Sequence, residues 1–486
     1  MLALLLGPGE AAAQSSPEEQ ARGLLEDGRV YRREGKAKQA LDNFQTIVSG
    51  FPNTSLVDDA LLEMGRYHME VERDTAKARN VFEQVTKRFP QSDGAPGAYY
   101  YLGLMTLERA SSPAEIDDAL AQFTRVHRLH PRSEWVARAH HATALAQRKA
   151  GHLPEALEAA RRAALEHPTS EAAAAAQFQV GQILALSGEA RRAMEEFQQV
   201  RNRYPKSEWA APALDRITAL YRLFGGDRPV FALDPSYAVG AGDTMKDVRA
   251  ILMTPARTLY VASEKVKGVV SFDAQGKMGP SVAGEGLQSL SLTAGGVIVV
   301  TASRAIRFGP RDLRTFTTPG EKPGEMDPVE KLEAAVLTPG GAVLVADEKR
   351  KKVLRFDAQS TFQGPFPDAK ERQVSRMLLD SEGAIVLLDR DLKAVEILDE
   401  SGRRLRHVPT RGAGYELRKP VDVATDPFRN AYVADEEAGV FVFAPDGKLL
   451  TTITSPELRR ARALTLDPSG AVLVYDDKAQ RILRYR

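Results

Sequence analysis

The sequence contains no cysteine among its 486 residues. This absence excludes disulfide bonds, cysteine-ligated zinc or iron–sulfur centres, thiol nucleophiles and the cysteine-linked lipid anchor of bacterial lipoproteins. The chain also lacks an excess of charge of either sign, because 66 Lys and Arg residues balance 65 Asp and Glu residues. A chain without net charge has no field that attracts nucleic acid or an anionic membrane. Long hydrophobic runs are missing too, since no stretch of about 18 apolar residues occurs, and no transmembrane segment is expected.

The usual catalytic motifs are also absent. A P-loop, a G-x-S-x-G elbow, an H-E-x-x-H pair, an EF-hand loop and a dinucleotide fingerprint each need a fixed spacing that the sequence does not contain. Seven of the eight histidines lie in the first half, and His140 and His141 are adjacent, so a helix would point them apart. The sequence therefore predicts no catalytic residue, no metal site and no cofactor.

The first residues, MLALLLGPGEAAAQSS, are typical of the end of a secretory signal. An apolar stretch and a Gly-Pro break precede Ala11-Ala12-Ala13, while the basic segment that normally starts such a signal is missing. We interpret residues 1–13 as a truncated signal peptide. The mature protein would then be periplasmic or secreted in a bacterium. If residues 1–13 are not a signal, the protein is cytoplasmic.

A proline recurs through the first half at intervals of 38, 41, 37 and 37 residues. Alanine stands twelve residues before and eight residues after each proline. The prolines are Pro52, Pro90, Pro131, Pro168 and Pro205, and the residues eight positions before them are Phe44, Phe82, Phe123, Ala160 and Phe197. This phase predicts repeated helix pairs, in which proline ends the second helix. A hydroxyl residue two positions after each proline is expected to cap the next helix.

These positions resemble the tetratricopeptide repeat (TPR) family. Gly28, Ala40, Phe44 and Pro52 occupy the family's small, small, aromatic and proline positions, and the resemblance covers about residues 17–224. The period of 37 is similar to that of bacterial envelope TPR proteins. The resemblance implies an all-α solenoid of about five helix pairs and a capping helix, whose concave groove binds a protein partner. On the capping helix, Leu214, Ile217, Tyr221 and Phe224 are expected to face inward.

Beyond a linker at residues 225–229, the pattern changes to short alternating strands separated by turn residues. The segments 334–359, 421–447 and 462–486 align with one another, and weaker copies begin near Val248, Leu290 and Ser375. Six copies spaced by about 40 residues predict a six-bladed β-propeller over residues 229–486. The predicted fold class is thus an α + β multidomain protein, with an N-terminal all-α solenoid and an all-β propeller.

The last copy contains three strands, and the segment 229–234 is expected to supply the fourth and close the ring. The copies resemble NHL-type propellers most closely where their second strands end in aspartate, at Asp347, Asp389, Asp435 and Asp476. The first two copies have Ser263 and Ser303 in that region. Because the aspartate recurs at one strand end, we predict that it caps a turn and does not bind a metal.

Two sets of residues are predicted to bind partners. Tyr67 and Tyr100 lie on first helices of the repeats, where an exposed tyrosine would anchor a protein partner. The basic clusters at 348–353 and 459–462 lie in loops that open on the same face of a propeller and would form a rim with Lys349, Arg350, Lys352, Arg459 and Arg460. A solvated rim without a partner is the alternative for these charges.

Together these features predict a non-enzymatic, exported scaffold or adaptor. One protein partner, such as a cell-envelope component, would bind in the TPR groove and another on the propeller rim. In the alternative, the propeller is a small-molecule-binding or hydrolase/lyase module and the TPR half targets it. That alternative predicts several acidic or histidine residues at the channel mouth.

Overall fold

The computed structural model describes residues 16–486 except 111, 228, 238, 240, 241, 321, 323 and 369. The predicted signal peptide at residues 1–13 lies outside the described residues. Eleven helices between Pro17 and Phe224 precede a six-bladed β-propeller of antiparallel sheets, which confirms the predicted fold class. The described residues form two compact units. One extends to Glu108 and includes Ser112–Ala146, and the other is Gln147–Arg486.

The helices follow the predicted spacing, and each second helix ends two or three residues before its proline. They are α1 (Pro17–Arg33), α2 (Ala37–Gly50), α3 (Val57–Glu70), α4 (Thr75–Arg88), α5 (Ala95–Arg109), α6 (Pro113–Leu129), α7 (Trp135–Lys149), α8 (Leu153–Leu165), α9 (Ala173–Leu186), α10 (Ala190–Arg203) and α11 (Ala210–Phe224). The unit boundary falls inside α7.

Close helix packing explains why small and aromatic residues alternate between the helices of a pair. A Cβ added at Gly65 on α3 would lie 2.4 Å from the ring of Phe82 on α4. A Cβ added at Gly103 on α5 would likewise lie 2.4 Å from the ring of Phe123 on α6. Both phenylalanines are fully buried. The ring thus fills the space that the missing glycine side chain leaves, and it fixes how closely the two helices approach.

Most of the hydroxyl residues after the prolines do not cap the next helix, so that expectation is wrong for Thr54, Ser92 and Ser207. The Oγ atoms of Thr54, Ser92 and Ser207 donate to the carbonyl three residues earlier, at 2.8, 2.9 and 2.8 Å. Ser133 Oγ instead accepts from the N–H of Trp135, at 3.3 Å. The hydroxyls therefore mainly close the turn after the second helix, because that carbonyl has lost its helical partner.

The inward face of α11 also differs from the expectation. Leu214, Tyr221 and Phe224 are 45%, 66% and 42% exposed. The buried residues are Ala213, Ala219, Leu220 and Leu223. Leu223 belongs to the hydrophobic core of the last two propeller blades. The helix turns this side inward because it packs on the propeller as well as on α10, a contact that helix periodicity alone does not reveal.

A larger side chain at one of the alanines that stand twelve residues before the repeat prolines is expected to destabilise the second unit. Ala156 on α8 is fully buried, and Ala156→Leu should lower the free energy of unfolding by about 1–3 kcal/mol. Ala121→Leu on α6 is the matched control, because Ala121 is exposed on a helix. Chemical denaturation of both variants measures the difference. Equal stability of the two would show that the assigned position of Ala156 is incorrect.

Each propeller blade is an antiparallel sheet whose strands follow chain order from the inner to the outer edge. The blades are β1–β4 (Val248–Met253, Leu259–Ser263, Gly268–Phe272, Met278–Ala283), β5–β8 (Leu287–Leu292, Ile298–Ala302, Ala305–Phe308, Asp312–Arg314), β11–β14 (Leu332–Leu337, Val343–Asp347, Lys352–Phe356, Phe362–Phe366), β15–β18 (Val374–Leu379, Ile385–Asp389, Ala394–Leu398, Arg404–Val408), β21–β24 (Pro420–Thr425, Ala431–Asp435, Gly439–Phe443, Leu449–Ile453) and β25–β27 (Ala461–Leu466, Val472–Asp476, Arg481–Tyr485). Short hairpins β9–β10 (Thr317–Pro319, Met326–Pro328) and β19–β20 (Arg411–Gly412, Tyr415–Glu416) lie in two of the connections.

The sixth blade is completed from the other end of the propeller sequence. The N–H of Ala232 donates to the carbonyl of Arg486 at 2.9 Å, and the N–H of Arg486 donates back at 2.9 Å. Asp234 N–H donates to the carbonyl of Arg484 at 2.8 Å, and Leu233 bridges Tyr485. The chain before the first blade therefore covers the edge of β27, which would otherwise present unpaired backbone groups.

Candidate functional site

The propeller has two faces with different surroundings. We call the face where the inner strands end the turn face; its turns begin at Thr254, Thr293, Thr338, Asp380, Asp426 and Asp467. In each turn the side-chain oxygen of that residue accepts the N–H four residues later. We call the opposite face, where the inner strands begin, the entry face.

Helices α9 and α11 pack against the turn face. Gln182 on α9 donates to the carbonyl of Pro427 at 2.6 Å, and Arg222 on α11 donates to the carbonyl of Ser469. Asp215 on α11 pairs with Arg257 of the first blade, at 2.5 Å. These contacts reach the turns of three blades. The turn face is thus held by the protein's own helices.

Two buried charges lie at this helix contact. Burial raises the pKa of Asp426 to about 6, although Asn430, Phe428 and the Arg216 charge oppose the rise. Burial likewise lowers the pKa of the Arg216 guanidinium to about 10. Asp426 accepts the N–H groups of Phe428 and Asn430 at 2.9 Å each, so its carboxylate shapes the turn that Gln182 of α9 contacts.

On the entry face, every inner strand has a β-bulge at its second residue. The bulged residues are Arg249, Gln288, Glu333, Ser375, Val421 and Arg462. A bulge redirects a side chain at the rim of a barrel or ring. The same backbone irregularity in all six blades therefore places six residues of different chemistry around one end of the channel.

The aspartates at the ends of the second strands cap loops, as predicted. Asp435 Oδ2 accepts the N–H groups of Arg418 and Lys419, both at 2.8 Å, and its Oδ1 accepts those of Glu437 and Ala438 at 3.0 and 3.1 Å. Asp476 binds the N–H groups of Arg459 and Arg460 in the same way, at 2.5 and 3.3 Å. These carboxylates fix the backbone of the two basic segments that enter the fifth and sixth blades.

The first two blades have serine in place of this aspartate, so the side chain donates a hydrogen bond to the backbone and does not accept one. Ser263 Oγ donates to the carbonyl of Lys246 at 2.7 Å, and Ser303 Oγ donates to the carbonyl of Gly286 at 3.0 Å. In the third blade, Asp347 accepts the backbone N–H of Arg350 at 3.1 Å and also pairs with the side chain of Arg350 at 2.6 Å. The capping position is thus used in different ways. In the fifth and sixth blades its carboxylate holds the basic segment that precedes the inner strand.

A cavity of about 480 Å³ opens on the entry face between the first, fourth, fifth and sixth blades. Among its lining residues are seven cationic and three acidic side chains, a balance of 7 − 3 = +4. The cationic residues are Arg249, Arg390, Lys393, Arg418, Lys419, Arg460 and Arg462, and the acidic residues are Asp247, Glu436 and Asp477. We call this cavity the basic mouth. It is cationic even though the whole chain is nearly neutral.

A buried ion pair lies along two inner strands. Arg376 on β15 and Asp422 on β21 are 6% and 2% exposed, and their side chains meet at 2.5 Å (Nε to Oδ1) and 3.0 Å (Nη2 to Oδ2). Asp422 Oδ2 also accepts the N–H of Leu464 at 2.7 Å. The Nη1 atom of Arg376 has no hydrogen-bond partner among the described residues. The pair connects three consecutive blades in the ring.

The structure places the predicted rim residues on the entry face but only partly together. Arg460 lines the basic mouth and pairs with Asp477, while Arg459 is exposed beside it. Lys349 is exposed in the loop of the third blade, and Lys352 begins β13. Arg350 is held by Asp347 and by the hydroxyl of Thr318 at 3.1 Å. Neither Lys349, Arg350 nor Lys352 lines the cavity.

The two predicted tyrosine anchors are both partly buried in the first unit. The ring centroid of Tyr100 lies 5.4 Å from those of Tyr101 and Trp135, and burial raises its pKa. Tyr67 packs edge-on against His68, at 5.7 Å. Tyr67 therefore has the looser surroundings, and Tyr100 serves mainly to pack an aromatic cluster.

Most residues of the basic mouth were not predicted from the sequence. Arg249, Arg390, Lys393, Arg418 and Lys419 were not singled out, and Arg462 was included only as the last residue of the basic cluster 459–462. A signal existed, because Arg249 and Arg462 occupy the same position of two aligned copies, one residue after the start of the inner strand. Arg418 and Lys419 likewise occupy the two positions before their inner strand that Arg459 and Arg460 occupy in the next blade, whereas Arg390 and Lys393 come from a loop without such a counterpart among the cavity residues.

Among the residues that the structure describes, no group of three or more His, Asp or Glu side chains could hold a metal ion. No described helix combines the length and hydropathy needed to cross a bilayer.

Comparisons with known proteins identify the helical repeats of the N-terminal half. The tetratricopeptide repeat family matches residues 59–92 and 175–207. No curated protein matches the chain. Solved structures similar to the chain include a streptogramin B lyase, at 12% identity over 53% of this chain and 97% of that chain, with a TM-score of 0.39.

Two structures of virginiamycin B lyase from Staphylococcus aureus are similar as well. The selenomethionine-substituted enzyme is 15% identical, and a catalytically inactive variant with quinupristin is 14% identical. Each similarity covers 52% of this chain and 85% of that chain, with a TM-score of 0.39. At these identities the similarity concerns the fold alone. By the family match and by its own sheet topology, the chain joins tetratricopeptide repeats in its N-terminal half to a six-bladed β-propeller in its C-terminal half.

Proposed function

We propose that the protein is a non-enzymatic, exported scaffold that binds one protein partner on its helical repeats and another on the entry face of its propeller. The observation that carries this proposal is the occupation of the turn face by α9 and α11. Because one face of the propeller is engaged by helices, the opposite face is left for a partner. Repeat domains of both kinds offer large surfaces and act mainly by binding.

The two partner surfaces differ in chemistry. On the repeats, the proposed anchors are Tyr67 and Tyr100, with Tyr67 the more accessible to a partner by its looser packing. On the propeller, Lys349 and Arg459 are exposed, and neither forms an ion pair within the described part of the chain. An exposed cationic rim contributes mainly to the rate and specificity of association with an acidic surface. The propeller partner is thus expected to present acidic side chains.

Export and the resemblance to NHL propellers belong to the same proposal. The apolar start of the chain and Ala11-Ala12-Ala13 support export, and a cell-envelope partner would follow from it. The alternative function, a small-molecule or hydrolase/lyase site in the propeller, would use the basic mouth. The lining there is dominated by Arg and Lys, and Glu436 and Asp477 are paired with Lys419 and Arg460. This lining favours binding of an anion.

Charge removal and anchor removal should affect different partners. Full-length protein, Tyr67→Ala and Lys349→Ala/Arg459→Ala are used as bait in envelope fractions, followed by crosslinking and mass spectrometry. Each change is expected to weaken one set of captured proteins by about fivefold to tenfold. Only the set lost in the charge variant should also weaken between about 50 and 200 mM salt.

The control for the tyrosine change is Tyr221→Ala, since Tyr221 is 66% exposed on α11 outside the first unit. Loss of the same proteins in both variants would contradict two separate surfaces. Capture of no protein by any bait, with conversion of a small metabolite by the full-length chain, would replace the scaffold by the enzymatic alternative.

A further inference from the structure

The basic mouth holds more positive charge than its own carboxylates neutralise. Three of its cationic side chains are paired: Arg390 with Glu333 at 3.2 Å, Lys419 with Glu436 at 2.6 Å, and Arg460 with Asp477. The other four, Arg249, Lys393, Arg418 and Arg462, form no salt bridge with any described residue. Of the lining carboxylates only Asp247 is left to offset these four cations, so the cavity keeps a net positive charge. Like charges facing one cavity repel each other, which is unfavourable unless an anion binds between them.

The Glu333 carboxylate indicates which anionic groups these cations can bind. Glu333, the bulged residue of the third blade, is held by Arg390 at 3.2 Å. Burial raises the pKa of the Glu333 carboxyl, and the charges of Arg390, Arg462 and Arg249 oppose that rise. Arg390 of the fourth blade thus contacts this carboxylate directly, and the charges of Arg249 and Arg462, from the first and sixth blades, act on it electrostatically. Arginine forks bind carboxylate and phosphate oxygens in pairs.

The cavity is also rigid where its cations are attached. Asp435 holds the backbone of Arg418 and Lys419, and Asp476 holds that of Arg459 and Arg460. The bulges fix Arg249 and Arg462 at the starts of their strands. A ligand would therefore meet a pre-formed arrangement of charge, which lowers the entropy lost on binding.

The size and lining of the cavity favour a small non-aromatic ligand. A volume of about 480 Å³ falls in the range of small-molecule sites, and it exceeds that of a single inorganic ion. The uncharged lining residues are Val248, Pro420 and Val421, and no aromatic side chain is among the described lining residues. Bases of a nucleotide or RNA would find no ring on which to stack.

We infer that the basic mouth binds a small, non-aromatic polyanion that carries two or more carboxylate or phosphate groups. Arg249 and Arg462 bind the groups nearest the channel axis, beside Glu333, and Lys393 and Arg418 bind those toward the rim. This ligand site does not depend on the scaffold function, because it needs neither a protein partner nor the helical repeats.

The test is isothermal titration calorimetry on the full-length protein, with citrate as the polycarboxylate probe and pyrophosphate as the polyphosphate probe. The parent protein is expected to bind at least one of them. Arg249→Ala and Arg462→Ala should each weaken binding by about tenfold or more, because a charge-assisted contact is lost. Arg462→Lys should retain part of the affinity, since it keeps the charge without the fork.

Arg304→Ala is the matched control. Arg304 is exposed in the loop between β6 and β7 of the second blade, on the same face but outside the cavity. It should change the affinity less than twofold, and unchanged melting temperatures verify that all variants are folded. The inference is overturned if the parent binds neither probe, or if Arg304→Ala weakens binding as much as Arg249→Ala.

Two further titrations identify the source of the anionic groups. A short Asp/Glu peptide that binds more tightly than citrate, with the same dependence on Arg249, would identify a polyanion presented by a protein. Weaker binding of the peptide would identify a free metabolite. Tight binding of oligouridylate with no binding of either small probe would contradict the inference, because the surface would then be a nucleic-acid site.

Discussion

Asp422→Ala is expected to lower the free energy of unfolding of the propeller by about 3–5 kcal/mol, the usual effect of breaking a buried ion pair from one side. The change leaves the Arg376 guanidinium, 6% exposed, without its counter-charge. It also removes the acceptor of the Leu464 N–H, which now lies 2.7 Å from Asp422. Denaturant unfolding followed by circular dichroism measures the loss of stability.

Two further variants separate charge from packing. Arg376→Met/Asp422→Leu removes both charges, and it should recover part of the stability because no unpaired charge remains buried. Asp446→Ala breaks an exposed ion pair with Lys448 at 2.8 Å and should change stability little. If Asp422→Ala unfolds at the same denaturant concentration as the parent protein, the Arg376–Asp422 ion pair does not stabilise the propeller as its burial indicates.

Deletion of residues 229–240, which include the strand that completes the sixth blade, is expected to make the isolated propeller aggregate. A fragment of residues 241–486 lacks the backbone partners of Arg484 and Arg486, so the outer edge of β27 is left with free N–H and C=O groups. The fragment 229–486 retains Ala232 and Asp234 and is the matched control. Size-exclusion chromatography with light scattering compares the two.

The same closure can be tested in the full-length chain. Ala232→Pro removes the donor that binds the Arg486 carbonyl, while Ala232→Gly keeps that donor. The proline variant should melt at a lower temperature and aggregate sooner on heating than the glycine variant. Equal behaviour of the two fragments and of the two variants would refute the shared-blade closure.

Repetition made much of this fold predictable. Proline, alanine and phenylalanine recur at fixed distances because each helix pair packs in the same way, so the residues around Phe82 and Phe123 could be assigned without coordinates. The aspartates at Asp435 and Asp476 were predictable for the same reason, since one turn is built repeatedly. Local rules are sufficient where each copy solves the same packing problem.

Features that join unlike elements could not be predicted in this way. The buried side of α11, which includes Leu223, depends on a propeller surface that is encoded more than two hundred residues later. The basic mouth draws Arg249, Lys393, Arg418 and Arg462 from four different blades, and only closure of the ring brings them together. Charge composition concealed this site, because its positive charge is offset elsewhere in a nearly neutral chain.

The pairing of Leu233 with Tyr485 also sets an order of events during synthesis. The closing strand leaves the ribosome before any blade exists, and its partner follows 485 − 233 = 252 residues later. At roughly 5–20 residues per second, the wait is on the order of 10–50 seconds. Throughout that time, the exposed strand and the growing row of blades need protection from wrong pairing. Yield of native protein should therefore depend on chaperone capacity during translation more than on the final stability of the closed ring.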